Sequence, residues 1–383
     1  MKKSLLVAAL ITGFAGAAQA ETSVTLYGIL DGGINYQQFK GTDAAGNSFK
    51  ATNTGFANGV QSGNRWGLKG SEDLGDGLKA IFVLEGGFNL GTGAQGSSGR
   101  IFDRQSTVGL QSDAWGKLEL GRQTNIASKY FAGVASPFGP DWGQASVGSA
   151  FSSANSVRYD NMIMYQTPNF SGFQFGLGYA FTANGSQQFK VSGNEEPNTR
   201  AWTTGLRYAN GPIAVALTYD QFKMAETGTN VNGDPGVTGK AWNIGGSYDF
   251  EVAKLHLGFG QTRDGWFKSV SALGAYDYNA NHGLNRASSS VDAIEGLKVN
   301  SYSVGVSAPI GANGKILAAW NMADPRHDAS VAGTEKQQVY SLGYTYALSK
   351  RTNVYALGSY AKHVYFNDDL KATQFAVGLR HRF

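Results

Sequence analysis

The sequence predicts an all-β chain that folds into one transmembrane β-barrel of sixteen antiparallel strands. Apolar and polar residues alternate over most of the chain, Gly, Tyr and Phe are abundant, and no apolar run after residue 20 is long enough for a membrane-spanning helix. Alternation with a period of two gives each strand one face for lipid and one for water. A barrel can therefore span a bilayer although the mean hydropathy of this chain is only −0.25.

Residues 1–20 have the features of a secretory signal peptide. Lys2 and Lys3 precede an apolar stretch from Leu5 to Ala18, and the small-residue sequence Ala18-Gln19-Ala20 ends just before Glu21. The apolar stretch is shorter than the roughly 20 residues that a helix needs to cross a bilayer. We therefore expect residues 1–20 to be removed and residues 21–383 to form a single barrel domain.

The composition excludes several classes of protein. Removing residues 1–20 takes away two lysines, which leaves 30 basic against 28 acidic residues, so the net charge falls from +4 to +2 and predicts no nucleic-acid partner. Cys is absent, which excludes disulfides and thiolate metal sites. The 53 Gly, 18 Tyr and 22 Phe favour strands and tight turns. A soluble β-sandwich or propeller shares this composition, but the sustained alternation favours a membrane barrel.

Alternating windows recur from the first strand to the last. The clearest are Val24 to Asn35, Phe173 to Phe181, Ile213 to Asp220, Trp242 to Phe250, Tyr340 to Tyr346 and Gln374 to Phe383. Counting all strand-like windows gives sixteen, although some, such as Thr352 to His363, alternate poorly. Sixteen strands would enclose a water-filled lumen.

The connections between these windows alternate between short and long. Asp73 to Gly77, Asn210 to Pro212 and Leu348 to Lys350 are predicted to be tight turns. Gln37 to Val60 and Gly265 to Gly296 are predicted to be long loops. Short turns on one side of the membrane and long loops on the other are typical of outer-membrane barrels.

Several sequence blocks, in order along the chain, resemble the Gram-negative general diffusion porins. These blocks are VTLYG (Val24 to Gly28), Asn64 to Phe88, GRQ (Gly121 to Gln123), Asn155 to Phe173, Leu348 to Tyr360 and the terminal GLRHRF. The resemblance implies a homotrimer of sixteen-stranded barrels in the outer membrane, each with a pore narrowed by an inward-folded third loop. It also implies that the terminal aromatic residue, Phe383, is the signal read by the barrel-insertion machinery.

The segment Thr124 to Val157 has the position of this third loop. It is too long for a hairpin turn and is rich in Gly, Ser and Ala, so it is expected to be either functional or disordered. From the residues alone, an exposed surface loop is the simpler interpretation. The resemblance to porins instead implies that the loop lies inside the barrel.

Basic residues on the predicted lumen face are candidates for the pore constriction. Trp66 takes the outer face of its strand, which leaves Arg65 and Lys69 inside. Tyr159 is expected to face outward in the same way, which would leave Arg158 inside.

A further basic residue and the acidic candidates rest partly on the resemblance. Arg104 occupies the family's F-x-R position, where a basic constriction residue is implied. Asp141, in the third loop, is the best acidic candidate, and Glu85 and Asp160 are alternatives on predicted lumen-facing positions. The third loop contains no other acidic residue, unlike the loops of cation-preferring relatives. We therefore expect a water-filled channel for ions and small hydrophilic solutes that prefers anions weakly.

Other functions are less well supported by the sequence. The five His residues are dispersed and no catalytic or nucleotide-binding motif occurs, so we expect no enzymatic activity. A substrate-specific porin should have an aromatic track in its lumen, whereas the aromatics lie mainly on the predicted outer face. A barrel that serves as an adhesin or receptor is the other alternative.

The expected surroundings follow from an outer-membrane location. Lipid and lipopolysaccharide should surround the barrel, and Lys40 and Lys50 are candidates to meet lipopolysaccharide phosphates at the outer rim. Carboxylates in loops, such as Asp368 and Asp369, are more often solvated than metal-bound. We predict no required cofactor.

Overall fold

The computed structural model describes residues 22–43, 46–228, 231, 233–270, 293–326 and 334–383. The predicted signal peptide, residues 1–20, lies outside the described residues, as does most of the predicted long loop Gly265 to Gly296. None of the described helices is long and apolar enough to cross a membrane.

Within the described residues, seventeen strand segments form one antiparallel sheet. The first nine are β1 (Ser23–Thr42), β2 (Ser48–Asn58), β3 (Arg65–Gly75), β4 (Leu78–Gly87), β5 (Gln105–Ser112), β6 (Gly116–Thr124), β7 (Arg158–Gln166), β8 (Phe173–Ala180) and β9 (Arg200–Asn210). The others are β10 (Ile213–Lys223), β11 (Thr238–Asp249), β12 (Lys254–Arg263), β13 (Lys298–Ile310), β14 (Gly314–Pro325), β15 (Gln337–Ala347), β16 (Thr352–Lys362) and β17 (Lys371–Arg382).

The seventeen segments make a closed barrel of sixteen strands, because β2 and β3 together form one barrel strand. Both pair with β1: residues Gly32 to Thr42 of β1 pair with β2, and residues Ser23 to Ile29 pair with β3. On its other edge, β1 pairs with β17 from Ile29 to Lys40. Closure leaves no free edge in the sheet. The predicted fold class and strand number are confirmed.

The outer face of the barrel is apolar, as the alternation predicts. In β8, Phe173 and Phe175 are exposed by 50% and 40%, whereas Gly178 and Ala180, which point to the other face, are buried. The last strand follows the same rule, with its apolar odd-numbered residues exposed and Gln374 buried. A lipid-facing apolar surface around a polar interior is the arrangement of a transmembrane barrel.

The predicted short turns are confirmed, but one predicted long loop is wrong. Instead of looping from Gln37 to Val60, the chain continues as strand β1 to Thr42 and returns as β2 from Ser48. The residues of β2 pair one for one with those of β1. Residues 48–58 are mostly Ser, Thr, Asn, Ala and Gly, so they show little hydrophobic alternation. Backbone pairing with β1 rather than side-chain burial makes them a strand.

The segment between β6 and β7, residues 124–157, lies against the inner face of the barrel. It contains a π-helix (Ala127–Phe131), an α-helix (Ala132–Ala135) and 3₁₀ turns at Gly143–Ala145, Val147–Ser149 and Ser152–Ala154. The Ile126 N–H donates to Thr203 Oγ1 at 2.8 Å, Ser303 Oγ donates to the Ala135 carbonyl at 3.0 Å, and Gln144 N–H donates to Gln374 Oε1 at 2.9 Å. These contacts span the wall from β9 to β17.

Glycines on the inner wall make room for this segment. A Cβ atom at Gly245 or Gly258 would press on Phe131 and Ala135, and one at Gly305 would press on Pro137. The backbone of each strand therefore approaches the segment closely at these positions. Much of the buried apolar core of the protein lies here, between the segment and the wall.

The break between β2 and β3, residues 59–64, also packs against the inner face. The buried Asp31 carboxylate accepts hydrogen bonds from Ser62 N–H and from Tyr355 Oη, both at 2.6 Å. Asn64 binds both the N–H and the carbonyl of Asp31. Val60 packs in one cluster with Trp142 of the long segment. Asp31 makes no ion pair within the described part of the chain, so its role is to accept hydrogen bonds.

Replacing Asp31 should therefore destabilise the barrel. Asp31→Ala leaves the Ser62 N–H and the Tyr355 hydroxyl without acceptors, and we expect the free energy of unfolding to fall by about 2–4 kcal/mol. Denaturant titration of the protein refolded in lipid vesicles measures this change. Asp113→Ala, at an exposed turn, is the matched control; equal stability of both variants would contradict the assigned role of Asp31.

Candidate functional site

Two of the predicted basic residues, Arg65 and Arg104, meet at the predicted acidic residue Glu85, on the inner face of β4. Arg104 Nε donates to Glu85 Oε1 at 2.7 Å, and Arg65 Nη1 lies 4.0 Å from the same oxygen. Tyr27 Oη donates to Glu85 Oε2 at 3.1 Å. Arg65 Nε also donates to the Gly63 carbonyl at 2.9 Å, which ties the guanidinium to the break between β2 and β3. Two arginines thus share one carboxylate and leave a net positive charge.

Arg158 joins this cluster through a backbone contact that the sequence did not predict. Its Nε donates to the carbonyl oxygen of Arg104 at 3.0 Å. The prediction that Tyr159 faces outward is wrong, because Tyr159 is fully buried on the inner side, with its hydroxyl 3.5 Å from Asp220. The register between β6 and β7 shifts near Gly121 and Asn161 has a positive φ of 48°, so the alternation of β7 reverses there.

Asp160, an alternative lumen-facing candidate from the sequence, is bound by basic residues of a loop and of strand β6 and not by the arginines at Glu85. Its carboxylate accepts hydrogen bonds from Arg100, at 2.8 and 2.9 Å, and from Arg122. Gly185 N–H donates to it at 2.7 Å. The hydrogen bonds to Asp160 hold the pKa of the Arg100 guanidinium above its ordinary value. Asp160 thus joins two loops to the wall.

Arg380, on β17, is a basic residue of the site that sequence reasoning missed. Its Nη1 donates to Ser62 Oγ at 3.0 Å, and its Nε donates to Asn353 Oδ1 at 3.1 Å. Strand β1 lies between the strands that carry Arg65 and Arg380. The signal in the sequence was its place on the polar face of the last strand, but only barrel closure brings it beside Arg65.

Asp141 lies in the long segment near these arginines. It interacts electrostatically with both Arg65 and Arg380. It forms no ion pair within 4.0 Å inside the described ranges, so its carboxylate is not committed to one partner. The predicted site residues Arg65, Arg104, Arg158, Glu85 and Asp141 are therefore brought to one region of the interior.

Lys69 is placed further along β3 than the arginine cluster. Its side chain is exposed, and Nζ lies 5.5 Å from the centre of the Tyr27 ring. A cation over an aromatic face is held weakly at an exposed site. Lys69 therefore adds positive charge beside the cluster without sharing its carboxylate.

One group of residues in the described structure could share a metal ion. Ligand atoms of Glu335, His363 and Asp368 all lie within 4.8 Å of one another. The group belongs to the loops that follow β14 and β16. Both carboxylates are exposed.

The arginine cluster can act on ions by fixed charge. A guanidinium remains charged at any ordinary pH, and it is less strongly hydrated than an ammonium group. Arg65 and Arg104 keep only 18% and 17% of their side-chain surface exposed, so their positions are set by the wall. Fixed cations beside a water-filled passage stabilise passing anions without binding them tightly.

Comparisons with known proteins place this architecture in one family. The Gram-negative porin family matches residues 6–364. The chain is 52% identical over its whole length to an outer membrane porin protein of Bordetella pertussis and 34% identical to outer membrane porin protein 32 of Delftia acidovorans, both covered completely. Among solved structures, an anion-selective porin from Comamonas acidovorans matches with a TM-score of 0.68 and 31% identity, covering 95% of this chain and 100% of that one. The chain belongs to the Gram-negative porin family.

Proposed function

We propose that this outer-membrane porin is a water-filled channel for the passive diffusion of ions and small hydrophilic solutes, with a weak preference for anions. The observation that carries the proposal is the excess of arginines over carboxylates in this cluster. Arg65 and Arg104 share Glu85, and Arg158 donates to the Arg104 carbonyl. Asp141 interacts electrostatically with Arg65 and Arg380. The structural relative from Comamonas acidovorans is described as anion-selective, which supports the same preference here.

In this proposal the residues divide into two roles. Arg65, Arg104 and Arg158, with Lys69 as a weaker addition, attract anions into the narrow part of the lumen. Asp141 lies in the long segment and Glu85 lies on the wall, so they reduce the net field and keep the selectivity weak. Asp160, which is neutralised by Arg100 and Arg122, acts on the wall and not on the permeating ion.

The same field favours polar solutes over apolar ones. Cations on the barrel wall and a carboxylate on the facing segment produce a field across the passage, which orients dipolar molecules and their water. Two segments packed on the inner face narrow the lumen at the level of the arginine cluster, namely residues 59–64 and 124–157. A solute must therefore pass close to the arginines.

The alternatives are less well supported. A substrate-specific porin would present aromatic side chains to the lumen, whereas the large inner aromatics Phe131, Phe151 and Tyr159 are buried between the long segment and the wall. The family consists of channels, and we infer that this member has no catalytic activity.

We also propose how the protein reaches and occupies the outer membrane. Residues 1–20 are a signal peptide that is removed, and Phe383 is read by the barrel-insertion machinery. The mature barrel, residues 21–383, assembles as a homotrimer surrounded by lipid and lipopolysaccharide. The paired register of Lys40 and Lys50 supports contact with lipopolysaccharide phosphates, because both side chains are exposed on the outer face near the loops.

Channel formation itself is tested in a planar lipid bilayer. We expect the purified protein to insert in steps of constant, ohmic conductance, since a polar lumen of fixed width passes salt without a large energy barrier. Insertion of folded barrels without conductance would contradict the channel function.

Charge removal in the cluster should reduce anion preference. Arg65→Gln, Arg104→Gln and Arg158→Gln should each lower the anion-to-cation permeability ratio by about two- to fivefold, since a unit charge about 5 Å from an ion in water is worth about 0.5–1 kcal/mol. Reversal potentials under a salt gradient measure the ratio. Arg351→Gln, at an exposed turn, is the control. Wild-type ratios in all three variants would refute the assigned roles.

Removal of the opposing carboxylate should have the opposite effect. Asp141→Asn takes away negative charge near Arg65 and Arg380, so we expect the anion-to-cation permeability ratio to rise by about two- to fivefold. Asp113→Asn removes the same charge at an exposed turn and should leave the ratio unchanged. A lower ratio in Asp141→Asn would mean that this carboxylate does not face the ion path.

A further inference from the structure

Three potential metal ligands converge where the loops that follow β14 and β16 meet. Ligand atoms of Glu335, His363 and Asp368 all lie within 4.8 Å of one another. Glu335 lies just before β15, and His363 and Asp368 lie between β16 and β17. Neighbouring ligand atoms around a bound metal ion are about 3–4 Å apart. Because both carboxylates are exposed, small side-chain movements can bring the three ligand atoms to that spacing.

The loop after β16 is a folded turn that holds His363 in place. The Val364 N–H donates to the Leu370 carbonyl at 3.0 Å, and the Asn367 N–H donates to the Val364 carbonyl at 3.2 Å. Val364 and Leu370 are fully buried in one apolar cluster. The His363 side chain keeps only 21% of its surface exposed. The position of the imidazole ring is therefore set by the fold.

Hydrogen bonds also join the loop after β14 to this turn. The Glu335 N–H donates to the Phe366 carbonyl at 3.2 Å, and the Tyr365 N–H donates to Gln337 Oε1 at 3.1 Å. Gln337 Nε2 in turn donates to the Ser149 carbonyl of the long segment at 2.6 Å. The two loops are thus held together by their backbones, so little further ordering is needed to bind an ion between them.

The His363 ring presents an unsatisfied nitrogen to this site. Its Nδ1 atom is shielded from solvent and lacks a hydrogen-bond partner in the part of the chain that the structure describes. Asp368 Oδ1 lies 4.0 Å from this nitrogen, which is too far for a hydrogen bond. A buried polar atom without a partner destabilises a fold. An ion bound between Nδ1 and the carboxylate satisfies both groups.

Within the described ranges, the two carboxylates also lack a Lys or Arg partner. Neither Glu335 nor Asp368 has a Lys or Arg nitrogen within 4.0 Å. The cations of the loop after β14, Arg326 and Lys336, both pair with Asp324 instead, at 3.2 and 3.4 Å. Two carboxylates and a neutral imidazole carry two negative charges, which match the charge of a divalent cation.

We propose that Glu335, His363 and Asp368 bind one divalent transition metal ion of the Zn²⁺ class, with water completing the coordination. An imidazole nitrogen with two carboxylate oxygens suits Zn²⁺, whereas Mg²⁺ and Ca²⁺ prefer oxygen ligands alone. The bound ion fastens the loops that follow β14 and β16 to each other. The site shares no residue with the arginine cluster, so the proposal does not depend on the ion preference of the channel.

Metal titration of the folded protein, without a polyhistidine tag, tests the proposal in detergent solution. Zn²⁺ is titrated in competition with a chromophoric chelator, and we expect each chain to take up one Zn²⁺ ion. An excess of Mg²⁺ or Ca²⁺ should not displace it, because neither ion favours a nitrogen ligand. Failure to take up Zn²⁺, or its displacement by Ca²⁺, would overturn the proposal.

Substitutions assign the bound ion to these residues. His363→Gln and Asp368→Asn should each weaken Zn²⁺ binding by about tenfold or more, because even a group that only supports a ligand contributes about that much. Asp369→Asn, at the next exposed carboxylate, and His381→Gln, on β17, are the matched controls and should bind Zn²⁺ like the wild type. Asp368 is exposed, so Asp368→Asn keeps the test valid if His363→Gln does not fold. Wild-type affinity in Asp368→Asn, or an equal loss in Asp369→Asn, would show that the ion is not bound here.

Discussion

The structure depends on the need to hydrogen-bond every backbone group that lies in the bilayer. No water is available there, and an unpaired N–H or carbonyl costs several kcal/mol, so a sheet in lipid must have no free edge. Strand β1 meets this need by pairing with β17 on one edge and with β2 and β3 on the other. Gly28 and Phe383 complete the closure, because each donates its N–H to the carbonyl of the other.

Closure also creates the site. It turns the period of two into an inner and an outer face, and it brings residues from both ends of the chain together around β1. Asp31 on β1 holds residues 59–64 against the wall, and Arg380 from β17 donates to Ser62 in that stretch. The long segment then packs along the wall from β9 to β17, where glycines make room for it. The charge cluster is therefore a property of the closed sheet and not of any one strand.

Much of the fold could be predicted from sequence because lipid imposes a simple pattern. The exposed residues of β8 and β17 alternate strictly, and sixteen strands followed from counting such windows. Strand β2 could not be recognised, because its Ser, Thr and Asn residues have no apolar face. Arg65 was placed correctly by the pleat beside Trp66, whereas Tyr159 was misplaced because a register shift leaves no signal in the alternation. The place of Arg380 in the site could not be predicted from the local sequence, because only barrel closure brings residues so far apart in the chain together.

The central claim is that an excess of fixed positive charge in the lumen makes the channel prefer anions weakly. The most direct test is the reversal potential of the wild-type protein in a planar bilayer between two concentrations of potassium chloride. We predict a small potential with the sign of chloride permeation. A potential with the sign of strong potassium selectivity would contradict the account.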